Sequence, residues 1–350
     1  MISTILQILG VIFIILILVF IYYVFKDLSK KTKESDSKNL KDANENDSVN
    51  NVENNVENNV ENDKIESFFD FKELNNLLNE LNSLEGLEEI KLEVNEMVSV
   101  LKYDLEEGNL DLKSITNHYV FSGNPGTGKT TVARLITDIY KTLGILSSGQ
   151  LVEVDRSNLV AGYIGQSAIL TKKKIDEAMG GVLFIDEAYS LTGKGDKDFG
   201  SEVIETLLKA MEDNKGQFMV IVAGYTNKMN EFLSSNPGLK SRFDKEFIFK
   251  DYNTDLLVKI ANKIFESKGK VASNDVYKII MDYLDYIKKQ SKDGFGNARE
   301  VRKIVSEAVK NQKIRLSKVP IEKRTEEMKK TILIDDIEEF KIEHLSIINS

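Results

Sequence analysis

The chain has 350 residues, 41% of them hydrophobic and 29% charged, with a formal net charge of −9. That length sets an expectation of two domains, the apolar content restricts disorder to local stretches, and the acidic balance argues against a general nucleic-acid binder, which needs a basic face for phosphates. With no cysteine, and with His118 and His344 as its two histidines, the chain cannot form disulfides, thiolate zinc sites, iron–sulfur clusters or a cysteine nucleophile, and it lacks the His-Glu-x-x-His pattern of zinc proteases.

Residues 1–25 carry no charge, and from Ile5 to Phe25 they are almost wholly Ile, Leu, Val, Phe and Tyr. At about 1.5 Å per residue, a helix of this length matches a hydrocarbon core of about 30 Å. The basic n-region and small-residue cleavage site of a signal peptide are missing, so a retained transmembrane helix is expected. Lys26, Lys30, Lys31 and Lys33 follow it and no Lys or Arg precedes it, which places the rest of the chain in the cytoplasm below a single-pass anchor in the cell membrane. Tyr22 and Tyr23 suit the interface at that boundary.

Residues 26–66 read as an acidic tether. From Asp42 to Asp63 there are seven acids and no base, and Val52-Glu53-Asn54-Asn55 begins a four-residue repeat that runs to Asn62. A helix would align Val52, Val56 and Val60, yet the abundant Asn opposes helix by competing for backbone hydrogen bonds. A flexible, lipid-repelling linker is one reading and a weak coiled or repeat-binding segment the other.

An α/β domain is expected over residues 67–250, after an amphipathic stretch from Ser67 to Gly108. The run His118-Tyr119-Val120-Phe121-Ser122 reads as a strand. It leads into Gly123-Asn124-Pro125-Gly126-Thr127-Gly128-Lys129-Thr130, followed by Thr131 and the helical pattern Val132-Ala133-Leu135-Ile136-Ile139-Tyr140. This is a phosphate-binding loop in the strand-loop-helix setting it requires: glycines let backbone N–H groups turn toward a β-phosphate, Lys129 supplies a point charge, and the Thr130 hydroxyl can ligate Mg²⁺. Further on, Val182-Leu183-Phe184-Ile185 ends in Asp186-Glu187. At the carboxyl end of a buried parallel strand, Asp186 is placed to hold the Mg²⁺ shell and Glu187 to deprotonate the water attacking a γ-phosphate. ATP and Mg²⁺ are therefore the expected ligands.

Residues 150–155, 217–224 and 246–249 supply three more strands, separated by helical patterns such as Glu202 to Met211, which implies a parallel sheet covered on both faces. From residue 251 to 350 the pattern turns helical, through Leu256 to Ser267, Asn274 to Gln290 and Ala298 to Leu316, before a short Ile332-Leu333-Ile334 strand and a last helix. A second, helical subdomain is expected there.

Together these segments resemble an AAA+ ATPase of the CbxX/CfqX branch: the loop at 123–130, the stretch Gly180 to Leu191, Ala223-Gly224-Tyr225, and Ser235-Asn236-Pro237-Gly238-Leu239-Lys240-Ser241-Arg242-Phe243. The resemblance covers residues 77 to 345 and implies a P-loop core with a five-stranded parallel sheet and a helical lid, ATP hydrolysis, and a homo-oligomeric ring, hexameric in the family. It implies that Gly86 and Leu87 pack on adenine, that Arg242 is an arginine finger reaching the neighbouring subunit, and that Arg299 is the lid's sensor-2 arginine. The sensor-1 position falls on Thr226 or Asn227. Val160-Ala161-Gly162-Tyr163-Ile164-Gly165-Gln166 is similar to the pore loop of AAA+ translocases, with Tyr163 and Ile164 gripping polypeptide between mobile glycines. The expected function is a membrane-anchored ring ATPase that remodels or threads a protein client. The alternative is a nucleotide-switched scaffold that pulls nothing.

Overall fold

The computed structural model describes residues 71–107, 118–163, 165–192, 198–291 and 294–342. All belong to one compact unit, residues 64–350. The expected membrane helix at 1–25, the tether at 26–66 and Ile164 lie outside the described residues. Among the described residues no helix is long and apolar enough to cross a membrane.

The amphipathic stretch forms α1 (Phe71–Ser83) and α2 (Glu88–Glu106), and β1 (Tyr119–Gly123) then leads through the glycine loop into α3 (Lys129–Thr142). There follow β2 (Leu151–Val154), α4 (Arg156–Leu159), α5 (Gln166–Ala178), β3 (Val182–Ile185), α6 (Gly200–Asp213), β4 (Met219–Gly224), α7 (Thr226–Ser235), α8 (Pro237–Lys240) and β5 (Lys245–Phe249). The five strands form one sheet in the order β2-β3-β4-β1-β5, every pairing parallel, with Tyr119 of β1 beside Ile221 of β4 on one side and Lys245 of β5 on the other.

Alternation along each strand builds two cores. Tyr119, Phe121, Val182, Phe184, Met219 and Ile221 face α1, α2 and α3, whereas Val120, Leu183, Ile185, Val220 and Val222 face α5, α6 and α7. A strand buried on both faces needs no polar residue, which is why β3 and β4 are wholly apolar apart from their glycine.

The lid follows with α9 (Thr254–Ser267), β6 (Val271–Ala272), α10 (Asn274–Gln290), α11 (Ala298–Ser317), α12 (Glu326–Lys330) and β7 (Thr331–Ile332), and a 3₁₀ segment at Ile334–Phe340 closes it. Its first two helices start on side-chain caps: Asn253 accepts from Leu256 N at 2.8 Å, and Ser273 caps α10 through Val276 N. The lid helices enclose a third core of Leu257, Phe265, Ile280, Leu284, Val301 and Val305.

The sequence reading expects helices alone between residue 251 and the strand near Ile332. The structure adds β6, paired in parallel with β7 through Val271↔Thr331 and Ala272↔Ile332, and it moves the second strand back to Thr331. Two residues are too few to carry a period. What pins this pair is tertiary: the buried Gln312 amide of α11 donates to the carbonyls of Met328, Lys329 and Thr331 at 3.3, 3.1 and 2.8 Å. The final element is 3₁₀ and is held by Asp336, which accepts from Leu333 N at 2.9 Å and takes a two-pronged bond from Arg315.

Candidate functional site

A cleft of about 160 Å³ opens at the carboxyl ends of β1, β3 and β4, lined by Lys129, Thr130, Thr131, Asp186, Glu187 and Arg299 together with loop glycines. Parallel sheets put ligand sites at this edge because strand ends, loops and helix amino termini converge there. The loop needs its glycines. At Gly126, with φ +72°, a Cβ would lie 2.3 Å from Gly296 O, and Gly128, at φ +97°, turns the chain into α3. The amino terminus of α3 then points its free N–H groups and partial positive charge into the cleft.

Lys129 is largely buried, and burial pushes its ammonium down to about 8, against the raising influence of Asp186. Its Nζ donates to Gly123 O at 2.7 Å and Asn124 O at 2.9 Å, which holds it on the rim where phosphate oxygens can replace the carbonyls. Asp186 and Glu187 are exposed at the end of β3, and Glu187 takes a left-handed backbone (φ 49°) that sends the chain into a 3₁₀ turn. Glu187 N donates to Asp186 Oδ1 at 3.0 Å. Tyr189 stands beside this pair, its hydroxyl pushed up to about 12 by burial and then by the Glu187 charge.

The donor set near Asp186 suits a hard cation. A hydroxyl from Thr130 and a carboxylate from Asp186 leave most positions to phosphate and water, as Mg²⁺ prefers, and no cluster of three or more His, Cys, Asp or Glu that would make a self-sufficient metal cage occurs among the described residues.

A second cavity, about 290 Å³, lies between the start of α2, β5 and the lid, and is lined by Leu87, Ile90, Ile248, Tyr252 and Leu256. Gly86 and Leu87 both have positive φ, 70° and 64°, and a Cβ on Gly86 would lie 2.6 Å from Leu256 Cδ2. Leu87 of the expected adenine pair thus lines this cavity, which Glu88, Glu89, Lys250 and Asp251 make partly polar, whereas Gly86 packs beside it on Leu256 of the lid. Tyr252 ties this cavity to the phosphate loop: its hydroxyl, pushed up to about 12 by burial, donates to Thr127 O at 2.8 Å.

Other expected residues fall elsewhere. Thr127 is buried and its hydroxyl donates to Asn124 O, while the Asn124 amide donates to Asp251; neither residue lines the cleft. Arg242 lies outside the cleft and pairs with Glu212. Tyr163 is 73% exposed, and nothing lies within 4 Å of a Cβ on Gly162 or Gly165. Thr226 and Asn227 begin α7 without lining the cleft; Gly224 and Tyr225 line it instead.

The sequence reading missed Tyr225, Arg302, Asp251, Tyr252 and Asn297. Arg302 lines the cleft one turn beyond Arg299, and that i, i+3 spacing was a usable signal. Tyr225 packs against Tyr189 with the rings tilted by 53° and 5.9 Å between centroids, and the Lys228 ammonium sits 5.0 Å and 4.7 Å from the two rings, an arrangement with no local sequence mark.

Comparison with known proteins agrees with this geometry. Residues 119–251 match the ATPase family associated with various cellular activities (AAA), and residues 253–345 match the AAA lid domain. Stage V sporulation protein K of Bacillus subtilis is 41% identical over 234 residues, covering 66% of this chain and 73% of that protein. The chloroplastic ribulose bisphosphate carboxylase/oxygenase activase of Cyanidioschyzon merolae is 38% identical over 255 residues, covering 72% of this chain and 86% of its own length. Among solved structures, a RuvB point mutant of Thermotoga maritima superposes with a TM-score of 0.51 at 18% identity, covering 77% of this chain and 72% of that one, which is a likeness of fold. With the phosphate loop, the acidic pair and the lid arginine gathered in one cleft, the chain belongs to the AAA ATPase family, alongside the CfxQ homologues and stage V sporulation protein K, and it hydrolyses ATP.

Proposed function

We propose that the protein is a membrane-anchored AAA+ motor that assembles as a homo-oligomeric ring, a hexamer, and spends ATP on remodelling or threading a protein client at the cytoplasmic face. The anchor reading rests on the uncharged, apolar residues 1–25 and the lysines that follow them. In the cleft, loop N–H groups and Lys129 hold the phosphates, while Thr130 and Asp186 hold Mg²⁺, which when bound supplies charge neutralisation on the phosphate oxygens. The Glu187 carboxylate orients the attacking water and takes its proton. Arg299 from the lid, and Arg242 from a neighbouring subunit, neutralise the charge that develops at the γ-phosphate. One relative is named as an activase of another protein, which supports a protein client.

The observation that carries the threading reading is Tyr163, a large ring left 73% exposed on a turn whose flanking glycines meet no neighbour. A ring held out in this way costs hydrophobic hydration, and gripping an apolar polypeptide would recover it. The test is Tyr163→Ala in the full-length chain, scored for ATPase activity and for restoring function to cells that lack the protein. ATPase retained with cellular function lost is the expected result. Full cellular function from Tyr163→Ala would remove the motor and leave the nucleotide-switched scaffold.

A further inference from the structure

Three consecutive carbonyls of the phosphate loop are held from outside it. Asn297 Nδ2 donates to Pro125 O at 3.3 Å, Ala298 N donates to Gly126 O at 3.2 Å, and the Tyr252 hydroxyl donates to Thr127 O at 2.8 Å. Peptide planarity gives these bonds a consequence. A trans peptide points its N–H opposite to its C=O, so fixing the carbonyls of residues 125, 126 and 127 fixes the N–H directions of Gly126, Thr127 and Gly128. Those N–H groups form the cradle that a phosphate needs.

Asn297 sits at the centre of this arrangement. It is fully buried, with φ 46° and ψ −126°, a backbone region that a residue other than glycine occupies only when its surroundings hold it there. Its two amide hydrogens are shared among Pro125 O, Asp251 Oδ1 at 2.8 Å and Phe295 O at 2.9 Å, and its Oδ1 accepts from Tyr252 N at 2.9 Å. Asp251 in turn takes the Asn124 amide on both oxygens at 2.9 Å. One side chain therefore joins the phosphate loop, the segment leaving β5 and the start of α11. Arg299 is two residues further along, and Arg302 one turn beyond that.

We infer that Asn297 is a positioning residue for ATP hydrolysis: it orients the loop N–H groups and the lid arginines as one unit, so that phosphate contact and lid placement cannot be set independently. Asn297 touches no phosphate itself. It acts through Pro125 and through the backbone that carries Arg299. The inference rests on the cleft being the ATP site.

The experiment is a double-mutant cycle in the full-length chain between Asn297→Gly and Arg299→Ala, reading ATP and ADP dissociation constants, kcat and the thermal midpoint. Glycine suits the local backbone, so this variant removes the side-chain bonds without adding strain. Asn297→Gly should weaken both nucleotides and lower kcat, each by about ten-fold, and Arg299→Ala should cost about ten-fold in the parent but less than about two-fold in the Asn297→Gly background. Effects of the two substitutions that simply multiply would overturn the inference, as would a lowered thermal midpoint with nucleotide affinity and kcat unchanged. Should Asn297→Gly fail to fold, Asp251→Asn replaces it, since it removes the carboxylate that receives both Asn124 and Asn297; unchanged affinity and kcat in that variant would equally overturn the inference. Lys129→Ala separates the two levels: unaltered ATP affinity there would sink the assignment of the cleft, whereas a large loss there with a silent Asn297→Gly would sink the positioning role alone.

Discussion

Arg242 rests on Glu212 of its own chain: guanidinium Nη1 meets Glu212 Oε2, and the other oxygen of that carboxylate takes Lys215 at 3.2 Å. Both side chains of the pair are partly exposed, so the contact is weakly held and a competing phosphate can displace it. Glu212→Gln should therefore raise ATPase activity at limiting protein concentration, where rings are incomplete, by at most about five-fold. The check is turnover against protein concentration for both chains. Identical curves would mean that the pair restrains nothing.

A finger acting between subunits also makes the site divisible. Arg242→Ala and Lys129→Ala each lack a different half of the shared interface, so a mixture of the two inactive proteins should regain ATPase activity from the complete interfaces it contains. A titration of mixing ratio that stays flat would place the action of Arg242 elsewhere.

Glu187→Gln keeps the size of the side chain and its left-handed turn but removes the proton acceptor. It should bind ATP within about two-fold of the parent and turn over about 10²- to 10⁴-fold more slowly. Single-turnover hydrolysis beside equilibrium ATP binding measures both, and near-parental turnover would transfer the base role to another group.

His118 supplies a pH signature unrelated to catalysis. Buried between Phe218 and Phe243, it accepts from Val220 N on Nδ1 at 3.0 Å, and burial, helped by the Arg242 charge, pushes its imidazole down to about 4. The unfolded chain protonates this group near 6.5, so the folded state binds fewer protons between those values. Stability from His118 is thus fully present above about pH 6.5 and is lost as pH falls toward 4, by up to about 3 kcal/mol. Urea midpoints at pH 7 and pH 4.5 should fall less for His118→Gln than for the parent, although the variant starts lower.

In the lid, Arg315 forks onto Asp336, whose side chain is 1% exposed, at 2.9 Å on both oxygens. Arg315→Met leaves a buried carboxylate supported by backbone alone and should cost about 3 kcal/mol, whereas Arg315→Met combined with Asp336→Leu should recover part of it. Calorimetry on the two variants decides between them.

Much of the large subdomain was legible because double burial writes continuous apolar runs. β3 and β4 announce themselves in this way, and Glu246 to Phe249 does so more faintly, since β5 is an edge strand with Ile248 half exposed. The Lys129, Asp186 and Glu187 chemistry was legible because it sits in motifs of fixed spacing. Asn297 was not: its partner Pro125 is 172 residues away, and an Asn after a Gly reads as an ordinary turn. Tyr225 and Tyr252 were hidden for the same reason, since each matters through what the fold brings to its ring.

The family boundary itself falls on this clasp. The AAA match ends at residue 251 and the lid match begins at 253, yet Asp251 and Tyr252 are the two residues of that seam which hold Asn124, Asn297 and Thr127. Chimeras that exchange lids between relatives by cutting here would part Asn297 from the Asp251 carboxylate and the Tyr252 N–H that fix its side chain. The transferable module is instead the lid together with residues 251–252 and a matched Asn124, and grafts that respect this grouping should keep nucleotide affinity where cuts at the seam lose it.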